Sequence, residues 1–88
     1  MKERYVTAKA IAEFKEHLIL EERSEITVEK YIRDVKAFAA YTLNGTITKE
    51  TVIAYKKHLQ ENYAVRSVNS MLASINSLLA FLCWHDLR

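Results

Sequence analysis

The chain contains no proline, one glycine (Gly45) and one cysteine (Cys83) among its 88 residues. Each shortage excludes something. Strand-rich folds need turn residues every few positions, so this composition predicts an all-α domain. A single cysteine cannot form an internal disulfide, which fits an intracellular protein. Its place in the apolar end of the last periodic segment marks it as a core thiol. No stretch reaches the ~20 apolar residues of a membrane span. The N-terminal "MKERYVTAKAIAEF" alternates charge with apolar residues and lacks the hydrophobic run of a signal peptide. A cytoplasmic chain with no membrane partner is the expectation. One glycine cannot build a phosphate-cradling loop, and no cofactor is implied.

Charge of one sign is also scarce. Thirteen basic and eleven acidic residues leave a net charge of +2. Up to Glu25 there are five basic and six acidic residues; from Ile26 to Arg66 there are seven and four. That modest excess in the middle of the chain suits a nucleic-acid surface without demanding one. Catalytic groups are equally thin. His17, His58 and His85 lie on three different segments, none paired with a second ligand at metal spacing. Tyr31 and Tyr55 sit on apolar faces at helical spacing, which marks them as core. Neither a catalytic nor a metal-binding residue is assigned.

What the sequence does contain is helical periodicity. Four segments show it: Thr7 to Glu22 with Ile11, Phe14, Leu18 and Ile19; "TVEKYIRDVKAFAAYT" with Val28, Tyr31, Ile32, Val35, Phe38 and Ala39; a third from Thr48 with Val52, Tyr55 and Leu59; and a fourth from Arg66 to about Trp84. Ser24 and Thr27 are good N-cap types, Asn44-Gly45 is the strongest turn signal, and Ile47 is placed as a hydrophobic staple. The short connections fit antiparallel neighbours. The expected fold is a compact four-helix domain with Phe14, Leu18, Tyr31, Val35, Phe38, Tyr55, Leu59, Leu72, Ile75 and Leu79 in its core.

The fourth segment, "RSVNSMLASINSLLAFL", is uncharged after Arg66. Val68, Leu72, Ile75, Leu79 and Leu82 form its apolar side. Ser67, Ser70, Ser74 and Ser77 fall within an arc of roughly 80° at 100° per residue. Exposed helix faces are usually Lys- and Glu-rich, since those residues are better helix formers than Ser. A stripe of small hydroxyls, expected to be exposed, therefore suggests close approach of something large and polar. On the second helix, Lys30 and Arg33, with Lys36 to one side, form a small basic patch opposite Tyr31, Val35 and Phe38. Glu29 is placed to pair with Arg33 on a plainly solvated face. Arg66 opens the fourth helix where free backbone N–H groups favour phosphate.

The order of residues carries a resemblance. "SEITVEKYIRDVKAFAAYT", with Ser24, Thr27, Tyr31, Asp34 and Phe38, resembles the second helix of the core-binding domain of tyrosine recombinases, the phage integrase family. "ITKETVIAYKKHL" and "VRSVNSMLASINSLLAFLCWHDL" are similar to the third and fourth helices. The likeness covers the chain from about Tyr5 onward. It implies a SAM-like module of two helical hairpins packed crosswise, a single core-binding domain over 1–88, with the family's catalytic domain absent from this chain. It also implies that helices two and four face DNA. The expected DNA-binding residues are then Thr27, Lys30, Arg33, Lys36, Arg66, Ser67, Ser70, Ser74 and Ser77. The implied partners are the double-stranded DNA of the core recombination site, the catalytic domain of the same parent chain and other recombinase protomers. Short Ser70 and Ser74, where many relatives carry Lys, Arg or Gln, imply few bidentate base contacts. A helical protein–protein interaction module without nucleic-acid binding is the alternative.

Overall fold

A computed structural model describes residues 4–42 and 45–87. Asn44 of the expected turn and the His85 side chain lie outside the described residues. The order is α1 (Ala8–Leu20), α2 (Glu25–Tyr41), α3 (Lys49–Asn62), α4 (Val65–Phe81) and a short 3₁₀ turn, η1 (His85–Leu87); there is no strand among the described residues. Three helices begin where a hydroxyl caps them. Thr7, Ser24 and Thr48 accept from the backbone N–H groups of Ala10, Thr27 and Thr51. At Thr48 the Thr51 hydroxyl answers by accepting from the Thr48 N–H, so two otherwise orphaned donors are satisfied reciprocally. Helix α4 starts at Ala64 with no side-chain cap.

The helix ends differ from the sequence expectation. α1 stops at Leu20 and α4 at Phe81, because Glu22 and Cys83 turn left-handed with φ of 60° and 62°. In α4 the Cys83 N–H donates to Ala80 O at 3.0 Å and the Trp84 N–H to Leu79 O at 2.8 Å; in α1 the Glu22 and Arg23 N–H groups make the matching pair to Ile19 and Leu18. These closures satisfy carbonyls the helix would otherwise leave open. The turn also lifts Cys83 to the surface, which corrects its reading as a core thiol.

Two hairpins result, α1–α2 and α3–α4, and they meet chiefly along α2 and α4. Between them lie Phe14, Leu18, Val35, Phe38, Tyr55, Leu59, Ile75 and Leu79, all buried as expected. Tyr31 and Leu72 are half-buried, and Ile19 is exposed. Tyr31 stays at the rim because two cations cover its ring: Arg23 at 5.4 Å and Lys30 at 5.5 Å from the centroid. The core also takes in Val6, Ile47 and Leu87 from outside the four helices. Arg4 O accepts from the Ile47 N–H at 2.6 Å, and the Arg4 guanidinium holds both Asp86 oxygens at 2.9 Å. These contacts tie the first and last described segments to the base of α3.

Candidate nucleic-acid interface

Where α2 and α4 part toward the start of α4, they leave a groove of about 560 Å³. Lys30, Arg33 and Ala37 line it from α2, and Arg66, Ser67, Ser70 and Met71 from α4, with Tyr63 at the α3–α4 connection. Five of the nine residues singled out in the sequence therefore share one concavity. Arg33 and Arg66 are exposed and have no ion pair or side-chain hydrogen bond among the described residues. Glu29, the expected helix partner of Arg33, makes no ion pair with it. Ala37, Ser67 and Ser70 keep the surface between the two arginines low.

The floor of the groove is polar and closed. Lys30 Nζ lies 2.7 Å from Asp34 Oδ2, and it donates to Ser70 O at 2.7 Å and to Ser74 Oγ at 3.0 Å. Ser74 Oγ in turn donates to Asp34 Oδ2 at 2.7 Å. Asp34 is 5% exposed and Ser74 is 0% exposed. A buried carboxylate is tolerated when it is paired and hydrogen-bonded, and both conditions hold. The negative charge of Asp34 reaches further, to α3. Tyr55 has its pKa pushed up to about 12, first by burial and next by that carboxylate, with smaller effects from Tyr63 and Tyr41.

This arrangement corrects one expectation directly. Ser74 is not an exposed hydroxyl awaiting a duplex; it is the contact point of two helices. The serine stripe crosses the α2–α4 seam at Ser74. Ser67 and Ser70 emerge into the groove on one side, while Ser77, half-buried, lies on the other, beside Phe14, His17, Arg23 and Phe81. What approaches the α4 backbone so closely is α2 itself: its Lys30 bonds a main-chain carbonyl there.

The remaining candidates are scattered. Lys36 lies on the other flank of α2, in a shallow depression with Lys15, Glu29, Ile32 and Arg33. Thr27 does not line the groove. Its backbone N–H donates to Ser24 Oγ at 3.2 Å and its hydroxyl accepts from Ser24 at 2.8 Å, so it serves the start of α2. Ala37 lines the groove from the helix face expected to carry Lys30 and Arg33, whereas Tyr63 and Met71 line it without having been singled out. Tyr63 has no periodic signal, since it ends α3.

No helix of the described residues is long and apolar enough to cross a membrane. Among the same residues, no group of three or more His, Cys, Asp or Glu is placed to hold a metal ion. Fold and site together define a small all-helical module whose distinctive feature is a cationic inter-helix groove. The chain belongs to the family described as "Phage integrase, N-terminal SAM-like domain", which it matches over residues 11–86. It matches no curated protein and no solved structure.

Proposed function

We propose that this domain helps hold a site-specific tyrosine recombinase on the double-stranded DNA of its core recombination site, with the α2–α4 groove turned toward the duplex. One observation carries the reading: Arg33 and Arg66, on different helices, flank one groove, and neither has an ion pair among the described residues. Arginine matches phosphate geometry in two-pronged fashion, and short side chains between the two let a backbone come close. Ser67 and Ser70 add hydroxyl donors, and Lys36 extends the positive edge on the outer flank of α2. Contacts of this kind position a protein on DNA and carry little sequence information. Strand cleavage in this reading belongs to the family's separate catalytic domain, and other protomers are the partners in synapsis.

The test is a titration of random-sequence duplex by fluorescence anisotropy at several salt concentrations. Affinity is expected to fall steeply with salt, and Arg33→Ala and Arg66→Ala each to lower the log–log slope by about one. A folded wild-type chain with no salt-dependent retention of DNA refutes the reading and favours a helical protein-interaction module.

A further inference from the structure

We propose that Lys30 is a positioning residue of the α2–α4 interface, a clasp that holds Arg33 and Arg66 in register, and is not itself a phosphate ligand. This rests on reading the groove as the DNA-contacting face. A lysine ammonium has three donors and no acceptor. Around Lys30 Nζ stand three acceptors: Asp34 Oδ2, Ser70 O and Ser74 Oγ, at 2.7, 2.7 and 3.0 Å. All its donors are committed. Two of the acceptors belong to α4, and one is main-chain, so the contact fixes the α4 backbone and not only a rotamer. The Tyr31 ring, 5.5 Å away, adds a cation–π contact.

A phosphate could take a donor of this ammonium only by displacing one of these acceptors: losing Ser70 O or Ser74 Oγ undoes the hold on α4, and losing Asp34 breaks its buried pair. In the last case the carboxylate is left buried with Ser74 as its remaining partner, and breaking a buried pair is strongly unfavourable. Arg33 and Arg66 face no such competition. Arg33 lies three residues from Lys30 on α2, and Arg66 four residues from Ser70 on α4. The clasp therefore joins the two helices beside the positions from which the arginines project.

Ligand and clasp predict opposite signs. Asp34→Asn makes the domain one unit more positive and releases the ammonium. If Lys30 were a phosphate ligand restrained by Asp34, that variant would bind duplex more tightly. If Lys30 is a clasp, the variant loses the register of the two arginines and binds more weakly despite its added charge.

The experiment measures duplex affinity by anisotropy for wild-type, Asp34→Asn and Ser74→Ala chains, each checked by circular dichroism to be folded at the measuring temperature. Both variants are expected to bind more weakly, Asp34→Asn by about tenfold at low salt, roughly the worth of one phosphate contact. Tighter binding by Asp34→Asn overturns the proposal. Ser74→Ala removes an acceptor and no charge, so it keeps the test decisive if Asp34→Asn does not fold; wild-type affinity in that variant counts against the clasp. A second readout needs no DNA. Acylation by a water-soluble amine-reactive ester is expected to be slower at Lys30 than at Lys36, which is exposed and has no ion pair among the described residues. The Lys30 rate is expected to rise toward that of Lys36 in Ser74→Ala. Equal rates in the wild-type chain overturn the clasp. An absence of salt-dependent binding by the wild type overturns the DNA reading, and with it the interface role of Lys30, while amine reactivity still reports separately on whether the clasp exists.

Discussion

Ser70 and Ser74 are one helical turn apart in the same stripe, yet introducing glutamate at each is expected to have unlike consequences. Ser70 is exposed, and Glu is a somewhat better helix former than Ser. Ser70→Glu is therefore expected to change stability by less than about 0.5 kcal/mol, as surface substitutions do. Ser74 is 0% exposed, with its hydroxyl 2.7 Å from the Asp34 carboxylate. Overpacking there costs roughly 1–3 kcal/mol. A second carboxylate beside Asp34 leaves the single Lys30 ammonium shared between two anions, and an uncompensated buried charge costs about 3–5 kcal/mol. The sum, roughly 4–8 kcal/mol, is comparable to the ~4–13 kcal/mol that an 88-residue domain has in all. Ser74→Glu should be largely unfolded at room temperature. Urea denaturation followed by circular dichroism reads the difference directly. A folded Ser74→Glu with the midpoint of Ser70→Glu would refute the argument, since it would mean that α2 and α4 are not in contact at this residue. If the groove binds DNA, Ser70→Glu should in addition weaken retention by setting a carboxylate between Arg33 and Arg66.

Three further outcomes are expected. Phe38 is fully buried with its ring 4.9 Å from Tyr55, so Phe38→Ala should cost about 3–5 kcal/mol in a urea melt; an unchanged midpoint would show that the core is assigned wrongly. The Tyr55 phenol, raised from 10.0 to about 12 by burial first and the Asp34 charge second, stays neutral in the folded state after an unfolded one would ionise. Its contribution to stability is complete below pH 10 and lost as pH rises toward 12, so phenolate absorbance should show Tyr55 ionising late, and Tyr55→Phe should lose that part of the alkaline dependence. Asp86 is held below the usual carboxylate range, chiefly by its hydrogen bond from Arg4; its contribution is present above the unfolded value of 3.8 and lost as pH falls through the lower folded value. Arg4→Gln should return the Asp86 carboxyl to ordinary titration by NMR, and an unmoved curve would mean that the Arg4–Asp86 clasp is not formed.

Helix interiors and the hydroxyl-capped helix starts were legible, to within two residues, because each depends on local chemistry. A 3.6-residue period and a capping hydroxyl are both written within a few positions, and Thr7, Ser24 and Thr48 act as their types predict. Helix ends were not. The usual stop signal is glycine at the left-handed position, and this chain has one glycine, spent elsewhere. Glu22 and Cys83 take that conformation instead, and neither residue type announces it. Ile47 was legible as a staple ahead of α3, but Val6 and Leu87 escaped for a related reason: a single apolar residue in a loop has no period, and only the meeting of distant segments buries it.

Five of the nine expected residues were legible as neighbours, and what each does there was not. Lys30, Arg33, Arg66, Ser67 and Ser70 do share one groove, since facing positions on two helices follow from periodicity. Which of them points outward depends on where α2 crosses α4, and no single-helix projection contains that information. The pattern Ser24, Thr27, Tyr31, Asp34, Phe38 shows the same limit from the other side. Ser24 caps α2, Thr27 bonds the cap, Tyr31 lies under two cations, Asp34 anchors Lys30 and Ser74, and Phe38 fills the core. Those five residues hold α2 and seat it against its neighbours. Arg33 and Arg66, which line the groove with no ion pair among the described residues, stand outside the pattern. A sequence motif of this kind thus marks the scaffold, and the binding face proposed above is read instead from the charges left without an ion pair among the described residues.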